Sequence, residues 1–83
     1  MTTRYFFHLR EGDKLTKDSK GVLLPHLEGA IDTAKLRAFS LVDAAARSGR
    51  PILWGTEYEV EDEDGRLALV LPLSHFVEVA RAA

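Results

Sequence analysis

The chain has 83 residues, 46% hydrophobic and 29% charged, a length and balance that suit one globular domain over residues 1–83. A net charge of −2 argues against nonspecific binding to nucleic-acid phosphates, which needs clustered Lys and Arg, and the absence of cysteine excludes disulfides and thiolate metal sites. No stretch nears the ~20 apolar residues of a membrane span, and no basic-then-apolar leader opens the chain, so a cytoplasmic protein is expected.

Residues 3–10 alternate as a strand. Tyr5, Phe7 and Leu9 share one face; Arg4, Phe6, His8 and Arg10 share the other. Phe6 is the anomaly, an aromatic ring on a charged face. Glu11-Gly12-Asp13 is a turn signal. Residues 14–25 are mixed: Asp18-Ser19-Lys20-Gly21 reads as a second turn, and Val22–Leu24 as a short edge strand ending at Pro25.

Residues 27–48 read as one helix, with Leu27, Ala30, Ile31, Ala34, Ala38, Leu41 and Ala45 on one stripe. The many alanines suit close approach to a sheet. Arg47, Gly49 and Pro51 form the stop signal. The start is weaker, because His26 is a poor N-cap and Gly29 costs about 1 kcal/mol relative to Ala. Residues 56–62 alternate again, with Tyr58 and Val60 inward and Glu57, Glu59 and Glu61 outward. Glu63-Asp64-Gly65 is a hairpin turn, and residues 66–73 are the return strand. Ser74 is placed to cap a short final helix carrying Phe76, Val79, Ala80 and Ala83. The order β-β-α-β-β, with that short C-terminal helix, makes an α+β fold: an antiparallel β-sheet with one long helix packed on one face.

The return strand is apolar on both faces, with Leu67, Leu69, Leu71 and Leu73 on one and Ala68, Val70 and Pro72 on the other. A strand of that kind is expected at the centre of a sheet, covered on both sides. Phe6 would then join Val70 on the second face. Two covers are available for that face: the chain's own tail through Phe76 and Val79, or a second copy. Leu36 and Phe39 lie off the helix's buried stripe, and Trp54 precedes the third strand as a further anchor. The expected role is a small noncatalytic protein-interaction module, homodimeric or bound to another protein. Its interface would be drawn from Phe6, Leu36, Phe39, Trp54, Val70 and Phe76.

Chemistry-bearing patterns are sparse. His8, His26 and His75 lack metal-ligand spacing, and His8 reads as a cross-strand surface residue. The stretch Glu61-Asp62-Glu63-Asp64-Gly65 resembles part of a calcium loop but fits a solvated hairpin tip better. No serine sits in a G-x-S-x-G context, there is no glycine-rich phosphate loop, and the chain has neither Asn nor Gln. No catalytic residue, metal or cofactor is therefore expected; an enzyme would have to use His8 with a neighbouring carboxylate. An alternative partner is single-stranded nucleic acid, bound through the basic N-terminal third: Arg4, Phe6, Arg10, Lys14, Lys17 and Lys20.

The opening R-Y-F-F-H-L-R-E-G-D, with D-S-K-G-V-L-L-P-H-L and E-D-E-D-G-R-L-A-L-V-L-P-L, spans most of residues 4–73. Together these stretches resemble a family of small bacterial proteins, frequent in rhizobia and related alphaproteobacteria, of unknown function. Members often carry an acidic residue where His26 stands, so this chain departs at the helix start. The resemblance implies no activity and no site residues. A weaker likeness is to HicB-type antitoxins, through Leu24-Pro25-His26-Leu27 leading into an Ala-rich helix. It implies a binding role, but no DNA-binding extension follows the sheet.

Overall fold

The aromatic alternation of the first segment makes it the strand on which the sheet is built. The computed structural model describes residues 2–52 and 55–76. In chain order it has β1 (Thr3–Glu11), β2 (Lys14–Thr16), β3 (Val22–Leu24), α1 (Glu28–Ser48), β4 (Glu57–Glu61) and β5 (Leu67–Pro72), then a 3-10 turn at Leu73–His75. The sheet is antiparallel in the order β2-β1-β4-β5, and β3 also pairs with β1. The expected α+β class holds.

Three residues of strand went unforeseen. Lys14–Thr16 pairs back on Leu9–Glu11 across a two-residue turn, since Glu11 faces Lys14. The returning chain then meets β1 again as β3, where Tyr5 faces Val22. Between Leu9 and Tyr5, β1 advances four residues; its partner advances six, from Thr16 to Val22. Two extra residues must loop out, and they do so at Lys17–Gly21. Gly21 closes this loop with φ +70°, beneath the β1 backbone. A Cβ there would stand 2.7 Å from Arg4 Cγ and 2.9 Å from the Tyr5 carbonyl oxygen.

The helix meets the sheet through its smallest side chains. Ala30, Ala34 and Ala38 have no exposed surface, and the bulk opposite them comes from Phe7, Tyr58, Val60, Leu71 and Leu73. Division of labour of this kind brings a helix axis close to a sheet without voids. Leu27 and Ile31, expected on the buried stripe, lie at its margin and stay 36% and 38% exposed. The stop signal works as read. Gly49 takes the left-handed conformation, and the Arg50 N–H donates to the Ala45 carbonyl at 3.0 Å, the long bond of a Schellman cap. No side chain caps the start, where Leu27 holds the N-cap position.

Two expectations about the return strand are corrected. β5 is an edge strand, because β4 lies between it and β1. Phe6 therefore faces Glu61 of β4 and does not neighbour Val70. The apolar outer residues of β5 are left uncovered among the described residues, with Leu67 58% and Val70 43% exposed. After Pro72 the chain turns as Leu73–His75 rather than starting an α-helix at Ser74. The remainder of the expected final helix, residues 77–83, lies outside the described residues, as does Trp54.

Two substitutions test this packing. Gly21→Ala combines a left-handed φ with a backbone clash and should lower unfolding free energy by about 2 kcal/mol or more in urea titration. Ala34→Leu forces a branched side chain between helix and sheet and should cost about 1–3 kcal/mol by the same measurement.

Candidate functional site

On the open face of the sheet, Arg10 and His8 of β1 meet the carboxylates of β4. Arg10 donates from Nε to Glu59 Oε2 at 2.8 Å, and His8 Nε2 lies 3.3 Å from Glu61 Oε1. The hydrogen bond from Arg10, with its charge, holds the Glu59 carboxyl below its ordinary range. Of the two arginines on this face of β1, Arg10 is matched by a glutamate of β4, while the Arg4 guanidinium donates to the Lys20 carbonyl. His8 itself is not the surface residue expected: it is 6% exposed. The Phe6 ring stacks beside it, nearly parallel at 6.4 Å between centroids. The His8 Nδ1 accepts the Asp18 N–H at 3.0 Å, so this nitrogen carries no proton and the ring proton sits on Nε2, toward Glu61. Both ring nitrogens are engaged.

Asp18 is the organising residue, and the sequence pattern marked it only as a turn former. Its carboxylate accepts three backbone N–H groups: Phe7 at 3.1 Å on Oδ2, and Lys20 and Gly21 at 3.0 and 3.1 Å on Oδ1. The Phe7 N–H would have met a strand carbonyl if the hairpin had continued without its two extra residues. Arg37 reaches down from α1 to lie 3.6 Å from Asp18 Oδ2, with its guanidinium 5.0 Å above the Phe7 ring. Burial pushes the Asp18 carboxyl up, but the three N–H donors and Arg37 outweigh it and hold it below the ordinary carboxylate range. The legible signal was D-x-x-G after a strand, an Asx-turn pattern; the tertiary partners were not legible.

On the helix side of β1 an open groove of about 590 Å³ runs between α1 and the β2 edge. Phe7, Leu9, Leu41 and Tyr58 form its floor, and Lys17 and Arg37 stand at its rim. Leu36 forms its lip and is 68% exposed. Burial pushes the Tyr58 hydroxyl's pKa up. His8 is not among the groove's lining residues.

The expected interface residues divide between surfaces. Leu36 and Phe39 are exposed on the outward side of α1, and Val70 is exposed on β5. Phe6 is half-buried, and an atom placed at a Gly21 Cβ would touch its ring at 3.0 Å, so the 17–21 loop supplies part of its cover. Phe76 packs against the main core with its ring edge-on to His75. The expected nucleic-acid residues are also divided. Arg4 donates to the Lys20 carbonyl at 2.8 Å, Arg10 is held by Glu59, and Lys14, Lys17 and Lys20 are exposed along the β2 edge and the loop.

A known family model, described as a domain of unknown function (DUF6894), matches residues 4–74. The chain belongs to this family. The match covers β1 through the 3-10 turn, so the Asp18 loop, the groove and the outward face of α1 all lie within the family domain. No curated protein and no solved structure matches the chain. Among the described residues no group of His, Asp and Glu is placed to hold a metal ion, and no helix is long and apolar enough to cross a membrane.

The Asp18 clamp generates a pH-dependent expectation. Because its folded pKa is depressed, its contribution is complete above about pH 4, the unfolded value, and is lost as pH falls through the lower folded value. Asp18→Ala, which strands partly buried N–H groups, should cost about 2–4 kcal/mol at pH 7. In urea titrations the gap between wild type and variant should narrow on going to pH 3.

Proposed function

We propose that this DUF6894 domain is a noncatalytic interaction module that works as a homodimer. The observation that carries this reading is the pair Leu36 and Phe39. They project from the outward side of α1 at 68% and 44% exposure, next to the groove whose lip Leu36 forms. Large apolar side chains three residues apart share a helix face. Adjacent exposure of that kind marks an interaction surface more than scattered single residues do. A domain of this size also buries a limited fraction of its chain, so a second copy adds to its stability. Cytoplasmic residence goes with this reading, as does a lack of catalytic residues: His8, the residue an enzyme was expected to use, has both nitrogens committed to neighbours.

The alternative, antitoxin-like or regulatory nucleic-acid binding, draws less support. Arg4 and Arg10 hold protein acceptors, and Glu57, Glu59 and Glu61 share the sheet face with them. A phosphate backbone approaching that face would meet carboxylates as well as cations.

Sedimentation velocity across micromolar concentrations tests the proposal. Wild type should sediment as a concentration-dependent dimer. Leu36→Glu with Phe39→Glu should give a folded monomer, judged by an unchanged far-ultraviolet circular dichroism spectrum. A wild type that stays monomeric throughout would refute it.

A further inference from the structure

The groove between α1 and the β2 edge holds polar groups that the fold itself does not use. Tyr58 is 5% exposed, and its side chain forms part of the groove floor. Its hydroxyl has no hydrogen-bond partner among the described residues. Every fully buried side-chain oxygen in those residues does have one, so this hydroxyl reaches open space, and the space beside it is the groove. A tyrosine buried to this degree ordinarily gives its hydroxyl a partner.

Arg37 stands over the same space. Burial acts most strongly on the Tyr58 hydroxyl, the Arg37 charge opposes it, and Glu11 adds a smaller influence in the direction of burial. The guanidinium is held 5.0 Å above the Phe7 ring, while its contact with Asp18, at 3.6 Å, is an ion pair longer than a hydrogen bond. None of its N–H groups is given to an acceptor among the described residues. Planar N–H donors beside an unmatched hydroxyl suit a planar oxyanion. The charge of the lining fits the same class. Lys17 and Arg37 stand against the single carboxylate of Asp18, which three backbone N–H groups already satisfy, so one positive charge is left over. That surplus matches a carboxylate better than a doubly charged phosphate.

We propose that this groove binds a small amphipathic monocarboxylate, a medium-chain fatty acid in its simplest form. The carboxylate accepts from the Tyr58 hydroxyl and the Arg37 guanidinium. The hydrocarbon body lies on Phe7, Leu9 and Leu41, beneath the lip formed by Leu36. The groove's volume of about 590 Å³ falls within the ~300–1,000 Å³ of small-molecule sites. Because it is open along one side, part of the ligand stays wet and the affinity is modest. The inference goes beyond the homodimer reading and does not rest on it, since the groove lies between helix and sheet and not on the outward side of α1.

Calorimetric titration of the full chain with decanoate, and with decanol as its neutral counterpart, tests the site. Decanoate should bind with a dissociation constant of about 0.1 mM. Decanol should bind about tenfold more weakly, because it lacks the charge that Arg37 and Tyr58 would meet. Tyr58→Phe deletes only a hydroxyl that has no partner among the described residues. It should leave stability in urea unchanged while raising the decanoate dissociation constant about tenfold. Lys17→Glu, at the exposed rim, should weaken decanoate about threefold, and by less at high salt. In amide correlation spectra, the shifts caused by decanoate should cluster at Phe7, Leu9, Ser40 and Leu41, which line the groove. No binding at millimolar decanoate overturns the proposal. So does decanol that binds as tightly as decanoate, a Tyr58→Phe variant of unchanged affinity, or a set of shifts centred on the exposed Leu67 and Val70 of β5.

Discussion

One carboxylate holds the N-terminal half of this fold together. Asp18 accepts from the backbone of β1 and from two amides of its own loop, while its N–H is donated to His8 and its charge faces Arg37 of α1. Sheet, loop and helix thus meet at one side chain. The need for it follows from chain length: two residues too many separate β2 from β3, and an unpaired strand N–H would otherwise be partly buried at the gap. An ionised acceptor is the strongest available substitute for the missing carbonyl. Gly21 completes the solution, because the loop must return in a left-handed conformation against backbone that leaves no space for a Cβ.

The two faces of the sheet are stabilised by different physics. The helix face is an apolar core with bulk on the strands and alanine on the helix. The opposite face is held by diagonal pairs between β1 and β4, Arg10 with Glu59 and His8 with Glu61. The stacked Phe6 and His8 rings sit within this ladder, beside the loop that Asp18 and Gly21 shape. Phe6, the aromatic that seemed misplaced among charges, is therefore half-covered by its own N-terminal segment, and it does not depend on the tail or on a second chain for all of its burial.

That redistribution moves the functional question from the sheet to the helix. Once Phe6 has a partner in His8, and Phe76 has joined the core, Leu36 and Phe39 stand out as an adjacent exposed apolar pair in mid-helix.

Local pattern was enough for much of this. Alternation placed β1 and β4, because a half-buried strand must put every second residue in the core; Gly49 ended the helix, because only glycine enters the left-handed cap without strain; and Leu36 and Phe39 fell off the buried stripe by helical geometry alone. β2 escaped notice because three residues, two of them polar, carry too little periodicity to register. Strand order also escaped, since an apolar run reads the same whether it is central or, like β5, an edge strand whose outer residues stay exposed. The sequence by itself determined the longer strands, the long helix and which helix face is turned outward, because those depend on spacing along the chain. Only the tertiary structure decided that Asp18 is a clamp, that His8 is buried with both nitrogens engaged, and that β4 separates Phe6 from Val70, because each depends on which distant backbone is brought alongside.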